Sequence, residues 1–182
     1  MELALDCQVF GFGQNGVMSE KYTSSVKEQK RIYALAYDIA ERAHAGDFRH
    51  LPDARPYFEH VKDVAALMPT WDLKTVAILH DTIEDSGDKP EGTKVTEAFL
   101  RLNGFPEHII AGVVAMTKSD DIDYPDYIRD KVKPNDLARF VKLADNYVNL
   151  KDRIAALIAG DATAAEQIHK YGISLQILTD EK

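Results

Sequence analysis

The sequence predicts an all-α fold, a single helical bundle. Three observations carry this reading. Apolar residues recur at three- and four-residue steps in several segments, capping residues and helix breakers separate those segments, and no stretch sustains period-two alternation with turns at hairpin spacing. The first segment is Ser24 to Ala45, where Val26, Ile32, Leu35, Ala36, Ile39, Ala40 and Ala43 form the stripe of one long amphipathic helix. A breaker-rich loop, Gly46 to Pro56, leads to a short helix around His60 to Met68, which Pro69-Thr70 stops. Asp72 is read as the N-cap of the next helix, Leu73 to about Glu84. Asp85 to Thr93 reads as a loop, and Thr93 as the cap of a helix running through Leu102 and ended by Asn103-Gly104. Pro106 opens a helix to about Met116. The polar, acidic loop Thr117 to Asp123 precedes a short helix with Tyr127, Ile128 and Val132. Asn135 caps a helix whose inward face carries Leu137, Phe140, Val141, Ala144, Val148 and Leu150, and Gly160-Asp161 precedes a last helix from Ala162 to about Leu178. Residues 1–20, with Gly11, Gly13 and Gly16, read as a loosely packed leader ahead of one domain spanning 21–182.

A chain of 182 residues suits one domain that buries its own core without disulfides. No apolar run approaches the roughly 20 residues of a membrane span. Glu2 and Asp6 stand in an N-terminus without positive charge, unlike a secretory signal. The lone Cys7 fits a reducing, cytoplasmic setting. With 22 Lys+Arg against 30 Asp+Glu, the net charge of −8 argues against a nucleic-acid partner. A small anionic substrate would need positive charge supplied locally.

Two segments break the apolar pattern with chemistry. His80-Asp81 ends the apolar stretch Val76-Ala77-Ile78-Leu79, and one helical turn brings Glu84 under His80 and Asp85 under Asp81. Carboxylates at a helix C-terminus oppose its dipole, and natural sequences break such local rules at sites. Asp145 interrupts a second apolar pattern, with Asn149 one turn on, and His60 follows Arg55-Pro56-Tyr57-Phe58-Glu59. Two imidazoles and two carboxylates brought together would suit an octahedral divalent ion such as Mn²⁺, and Fe²⁺ or Mg²⁺ less well; without thiolates a closed structural zinc site is not expected. The plainer readings are solvated acids for Glu84 and Asp85, and a buried Asp145 paired with Lys142. His44 is read as structural or as support behind a site, His108 and His169 as surface or packing residues, and Tyr57 as core.

Four blocks, in order, resemble one family. Ala43-His44-Ala45-Gly46-Asp47-Phe48-Arg49-His50 is similar to Ala-His-x-Gly-Gln-x-Arg-Lys, and Pro56-Tyr57-Phe58-Glu59-His60 to Pro-Tyr-x-x-His. His80-Asp81-Thr82-Ile83-Glu84-Asp85-Ser86 is similar to His-Asp-Thr-x-Glu-Asp-Thr, and Lys142-Leu143-Ala144-Asp145 with Asn149 to Lys-Leu-Ala-Asp-x-x-x-Asn. These are patterns of the HD-domain phosphohydrolases, and within them of the RelA/SpoT-type (p)ppGpp hydrolases, especially the small stand-alone alarmone hydrolases. The resemblance spans roughly Ile32 to Leu150 and implies an HD-type helical bundle that hydrolyses the 3′-pyrophosphate of ppGpp or pppGpp, giving GDP or GTP and pyrophosphate. It implies one Mn²⁺ on His60, His80, Asp81 and Asp145, and Glu84 and Asp85 as the acids that position and deprotonate water. It places Arg49, His50, Lys142 and Asn149 against the nucleotide, Arg49 beside the base.

The sequence departs from the family at four places. His50 replaces a Lys, Asp47 a Gln, Val61 a Pro, and Asn146 a residue that is commonly basic. Read together, these remove positive charge from around the pocket, leaving the metal and Arg49 more of the phosphate-facing work. Other readings are an HD hydrolase of another nucleotide (an adenosine alarmone, a dNTP or NADPH) and a non-catalytic regulator of an alarmone synthetase. The Walker pattern Gly-x4-Gly-Lys-Ser/Thr is absent, so phosphoryl transfer from ATP is not expected. The acidic 117–123 loop is expected to gate the site.

Overall fold

The apolar periodicity becomes helix in a computed structural model that describes residues 24–49, 54–86, 89 and 94–180. The leader read over residues 1–20, the cap read at Thr93 and the site residue His50 lie outside the described residues. In chain order the helices are α1 (Val26–Ala43), α2 (Tyr57–Ala66), α3 (Trp71–Leu79), α4 (Glu97–Leu102), α5 (Glu107–Met116), α6 (Tyr124–Tyr127), α7 (Asp136–Ile158) and α8 (Ala164–Thr179). A 3₁₀ turn spans Glu84–Ser86, and α6 runs on into a π-helical segment, Ile128–Val132. The described residues contain no strand; Phe48 and Pro56 form one isolated antiparallel bridge.

Side-chain caps set several helix starts, and two differ from the sequence reading. Ser25 caps α1 and Asn135 caps α7, its side chain accepting from the Ala138 amide at 3.0 Å. Thr70, not Asp72, caps α3: its extended backbone places the hydroxyl to accept from Leu73 N at 3.3 Å. Asp72 falls in the first turn instead, where its charge suits the dipole and meets His108 Nε2 at 3.1 Å. Thr96 caps α4, accepting from Phe99 N at 3.1 Å. Asp161 caps no helix itself; its carboxylate accepts from Thr163 N at 3.0 Å, and α8 starts at Ala164.

Helix α3 ends at Leu79, five residues before the expected Glu84. Side chains compete for the backbone there. Thr82 Oγ1 donates to the Leu79 carbonyl at 2.7 Å, and Ser86 Oγ donates to the Thr82 carbonyl at 2.5 Å. The chain tightens into turns, yet Asp85 N still donates to the Asp81 carbonyl at 2.9 Å, preserving the four-residue register of those two acids.

Apolar on every side, α3 is the hub. Leu73, Val76, Ala77, Ile78 and Leu79 are fully buried. It packs against α1, α2, α5 and α7, while α8 lies along α7. Contact with α5 is close because Gly112 has no side chain: a Cβ there would sit 2.9 Å from Val76 Cγ2 and 3.4 Å from Leu137 Cβ. Both neighbours are held on helices, and Val76 is branched at Cβ and stiff. No described helix is long and apolar enough to cross a membrane.

Gly112→Val should therefore overpack the α3–α5–α7 junction. The expected cost is about 1–3 kcal/mol, read as a Tm several degrees lower with the helical circular-dichroism spectrum retained. An unchanged Tm would show that the junction has room to relax.

Candidate metal centre

Three helices converge on one buried cluster. His60 lies in the first turn of α2, His80 caps the C-terminus of α3 with Asp81 after it, and Asp145 lies midway along α7. His60 Nε2 is 3.1 Å from Asp145 Oδ1 and 3.9 Å from Asp81 Oδ2. His80 Nε2 is 3.0 Å from Asp81 Oδ2 and 3.7 Å from Asp145 Oδ1. Donor atoms bound at about 2.1 Å on adjacent octahedral positions are about 3 Å apart, so His60, His80 and Asp81 could hold one divalent cation, with Asp145 Oδ1 beside both imidazoles. Donor atoms of His60, His80 and Asp81 all lie within 4.8 Å of one another.

The surroundings orient these donors. His80 Nδ1–H donates to the Ala77 carbonyl at 2.7 Å, which turns Nε2 toward the cluster. In the metal-free protein that nitrogen carries a proton facing Asp81 Oδ2 at 3.0 Å, so a cation would bind there by displacing it. Asp145 is held from three sides: His60 on Oδ1, Asn149 Nδ2 donating to the same oxygen at 2.5 Å, and Lys142 Nζ 3.0 Å from Oδ2. Tyr57 OH donates to Asp81 Oδ2 at 2.8 Å. Two imidazoles, two carboxylates and no thiolate fit Mn²⁺, Fe²⁺ or Mg²⁺.

The electrostatics agree. Burial works against charge on the His80 ring, but Asp81 and Asp145 outweigh it and raise its pKa to about 10 in the metal-free protein. Burial pushes His60 the other way, below the ordinary histidine value. Burial alone would raise Asp145, yet Lys142 and both imidazoles hold it well below the usual carboxylate range. Asp85 rises to about 7, first from burial and then from the neighbouring charges of Asp81 and Glu84.

The cluster forms one wall of a pocket of about 220 Å³. Five cationic side chains also line it: Arg49, Lys118, Lys142, Arg153 and Lys170. A second cleft of about 500 Å³ shares Tyr124 and Lys170 with it and carries His169. The Arg49 backbone is pinned by its amide donating to the Arg55 carbonyl at 2.9 Å, next to the Phe48–Pro56 bridge. Its guanidinium donates to Asn149 Oδ1 at 2.8 Å, lies 3.5 Å from Asp152 and faces the Tyr57 ring.

Thus His60, His80, Asp81, Asp145, Lys142, Asn149 and Arg49 are brought together. Glu84 joins them, lining the pocket and accepting from the Lys118 amide at 3.0 Å, which ties the 117–123 loop to the site. Asp85 turns aside, its Oδ2 3.6 Å from His44. Tyr57 packs against the core as expected and also serves the site: its ring forms pocket wall and its hydroxyl reaches Asp81. Asn146 does not deprive the pocket of charge, because its buried side chain points to α8 and donates to Ser174 Oγ at 2.7 Å. The sequence reading missed Lys118, Arg153, Lys170 and Asp152. Asp152 continues the Asp145–Asn149 stripe at helical spacing, a signal that was present; Lys170 enters through the packing of α8 on α7.

No protein-family model matches the chain, and no curated protein does. Among solved structures, the fold is similar to that of a metazoan ortholog of SpoT that hydrolyses ppGpp and plays a role in starvation responses. The TM-score is 0.66 at 18% identity, covering 87% of this chain and 88% of that one. The chain therefore shares the all-helical fold of that protein.

A metal ligand must be unprotonated, whereas the His80 ring holds its proton up to about pH 10. Mn²⁺ binding between pH 7 and 9 should therefore expel about one proton, and affinity should rise about tenfold per pH unit. Calorimetric titrations in buffers of different ionisation enthalpy measure both, and a pH-independent affinity would remove His80 from the ligand set. The sign for the metal-free fold is opposite: the raised pKa stabilises it below the ordinary value of 6.5, and that contribution fades as pH climbs toward about 10.

Proposed function

We propose that the protein is a metal-dependent phosphohydrolase removing the 3′-pyrophosphate of guanosine alarmones, ppGpp and pppGpp, to give GDP or GTP and pyrophosphate. One observation carries the reading: a buried His/Asp cluster spaced for a divalent ion shares a pocket with five cationic side chains. In a chain of net charge −8, that concentration of positive groups points to a phosphate-rich ligand. The four-block resemblance and the shared fold support the guanosine alarmone as that ligand and a cytoplasmic place of action.

His60, His80, Asp81 and Asp145 would hold the ion, with Mn²⁺ the best fit of residue types to family pattern. When bound, a divalent ion supplies Lewis acidity at the attacked phosphorus and lowers the pKa of water. Glu84, facing the pocket, and Asp85 beside it orient the attacking water and accept its proton, a contribution of roughly 10²–10⁴ in rate. Lys142 is committed to Asp145 and balances its charge. Lys118 from the 117–123 loop, Arg153 from α7 and Lys170 from α8 line the pocket and would face the phosphates. Arg49 donates to the Asn149 amide oxygen and its charge is faced by Asp152, so its flat guanidinium face is suited to stack on the base rather than to grip phosphate. Asn149 links the two halves, bonded to Arg49 on one side and Asp145 on the other.

Purified protein loaded with Mn²⁺ should release pyrophosphate from ppGpp and pppGpp faster than it acts on an adenosine alarmone, a dNTP or NADPH. Turnover of one of those others without pyrophosphate release from ppGpp would overturn the substrate. Asp81→Ala should lose both metal and activity. Glu84→Gln should keep the metal and lose at least about 10²-fold in kcat. Lys170→Ala should raise KM about tenfold with kcat little changed, the pattern of a lost contact to a charged group.

A further inference from the structure

His44 is buried behind the site with no role in the chemistry above. It caps the C-terminus of α1, its backbone N–H donating to Ala40 and its carbonyl accepting from Asp47 N at 3.1 Å. Its side chain has no exposure to solvent, and neither ring nitrogen has a hydrogen-bond partner. A neutral imidazole must still carry one N–H, and burying it unsatisfied costs free energy that packing alone does not explain. The ring stacks on Tyr57, centroids 5.0 Å apart and planes 27° from parallel, so its edge points in a fixed direction. Along that edge stand two carboxylates: Asp85 Oδ2 at 3.6 Å from Nδ1, and Asp47 Oδ2 at 3.8 Å. Asp47 Oδ2 already accepts from Lys89 Nζ at 2.7 Å, which leaves Asp85 as the nearer and freer direction for a donor.

We propose that His44 is a positioning residue for the water-activating acids: its Nδ1–H donates to Asp85 and fixes that carboxylate against the substrate water. The inference rests on the role given to Asp85 above. The groups facing the ring are Tyr57 from α2, Asp47 from the following loop and Asp85 from the 3₁₀ turn, with Lys89 behind Asp47, and the charges of Asp81 and His80 also reach it. Burial drives the His44 pKa down to about 4, so the ring is neutral near pH 7 and gives its single N–H without bringing a positive charge. The 3.6 Å separation is longer than a hydrogen bond, and a modest rotation of the Asp85 side chain, which is 36% exposed, would close it without metal or substrate.

Two substitutions separate donation from packing. His44→Phe keeps a ring against Tyr57 and removes the donor. His44→Asn removes the stacking and keeps an amide N–H near the position of Nδ1. In the metal-loaded full chain, His44→Phe should lose about 10- to 100-fold in kcat with KM and metal content unchanged, while His44→Asn stays within about tenfold of the parent despite a lower Tm. A purely structural role gives the reverse order, and His44→Phe equal to or faster than His44→Asn overturns the proposal. A second readout needs no substrate. Imidazole ¹⁵N shifts of the metal-free protein should show His44 in the Nδ1–H form, with that proton's signal lost in Asp85→Ala and kept in Asp47→Ala. An Nε2–H tautomer, or a signal indifferent to Asp85→Ala, overturns the contact whatever nucleotide the enzyme hydrolyses, whereas failure of the nucleotide panel alone overturns the substrate and leaves this contact standing or falling on its spectrum.

Discussion

Two carboxylates inside a helical bundle, Asp81 and Asp145, are the constraint on which the rest of the structure turns. Each is set against the same pair of imidazoles. An unpaired carboxylate in such a place would protonate or unfold the bundle around it. Everything near the cluster reads as an answer: the Lys142 ammonium, the Tyr57 hydroxyl, the Asn149 amide, and imidazoles turned to face the oxygens. In the protein alone the balance rests on protons, chiefly the one held on His80; a divalent ion among the same donors would take its place.

The scaffold exists to hold that balance. The C-terminal half of helix α3 is fully buried and ends where the Thr82 hydroxyl captures the Leu79 carbonyl, so His80 and Asp81 emerge from the core at a fixed point. Helix α7 crosses it with Asp145, Asn149 and Asp152 along one stripe. Asp152 in turn anchors Arg55 at 2.6 Å, and Arg55 also pairs with Asp63 on α2. Charge is thus passed outward in matched steps from the buried cluster to half-exposed residues. That gradient is why a chain with an excess of acids can still offer a cationic pocket.

Much of this was legible in the sequence. Apolar spacing locates the helices, and the breaks in that spacing at His80-Asp81 and Asp145 locate the cluster, because a polar residue within an apolar stripe has few places to go. Helix starts were less legible where two capping residues compete: Thr70 and Asp72 are both good caps, and only the backbone conformation decides between them. The second role of Tyr57 and the direction of Asn146 were hidden for a related reason: which way a side chain faces depends on the helix phase, and a start displaced by a few residues at α2 lets Tyr57 touch both core and pocket. The cations Lys118 and Lys170 were hidden because they approach from a loop and from α8, and neither approach is encoded locally.

The donors of the cluster come from α2, α3 and α7, far apart along the chain. A cation seated among them would therefore be a cross-link as well as a reagent, closing loops whose open ensemble the unfolded chain would otherwise explore. Stripping it would unfasten three helices at once and leave like charges facing each other at the point where the bundle is pinned. On the proposed function, catalytic competence and the lifetime of the folded chain would then share one control, the free concentration of a divalent metal in the surrounding solution.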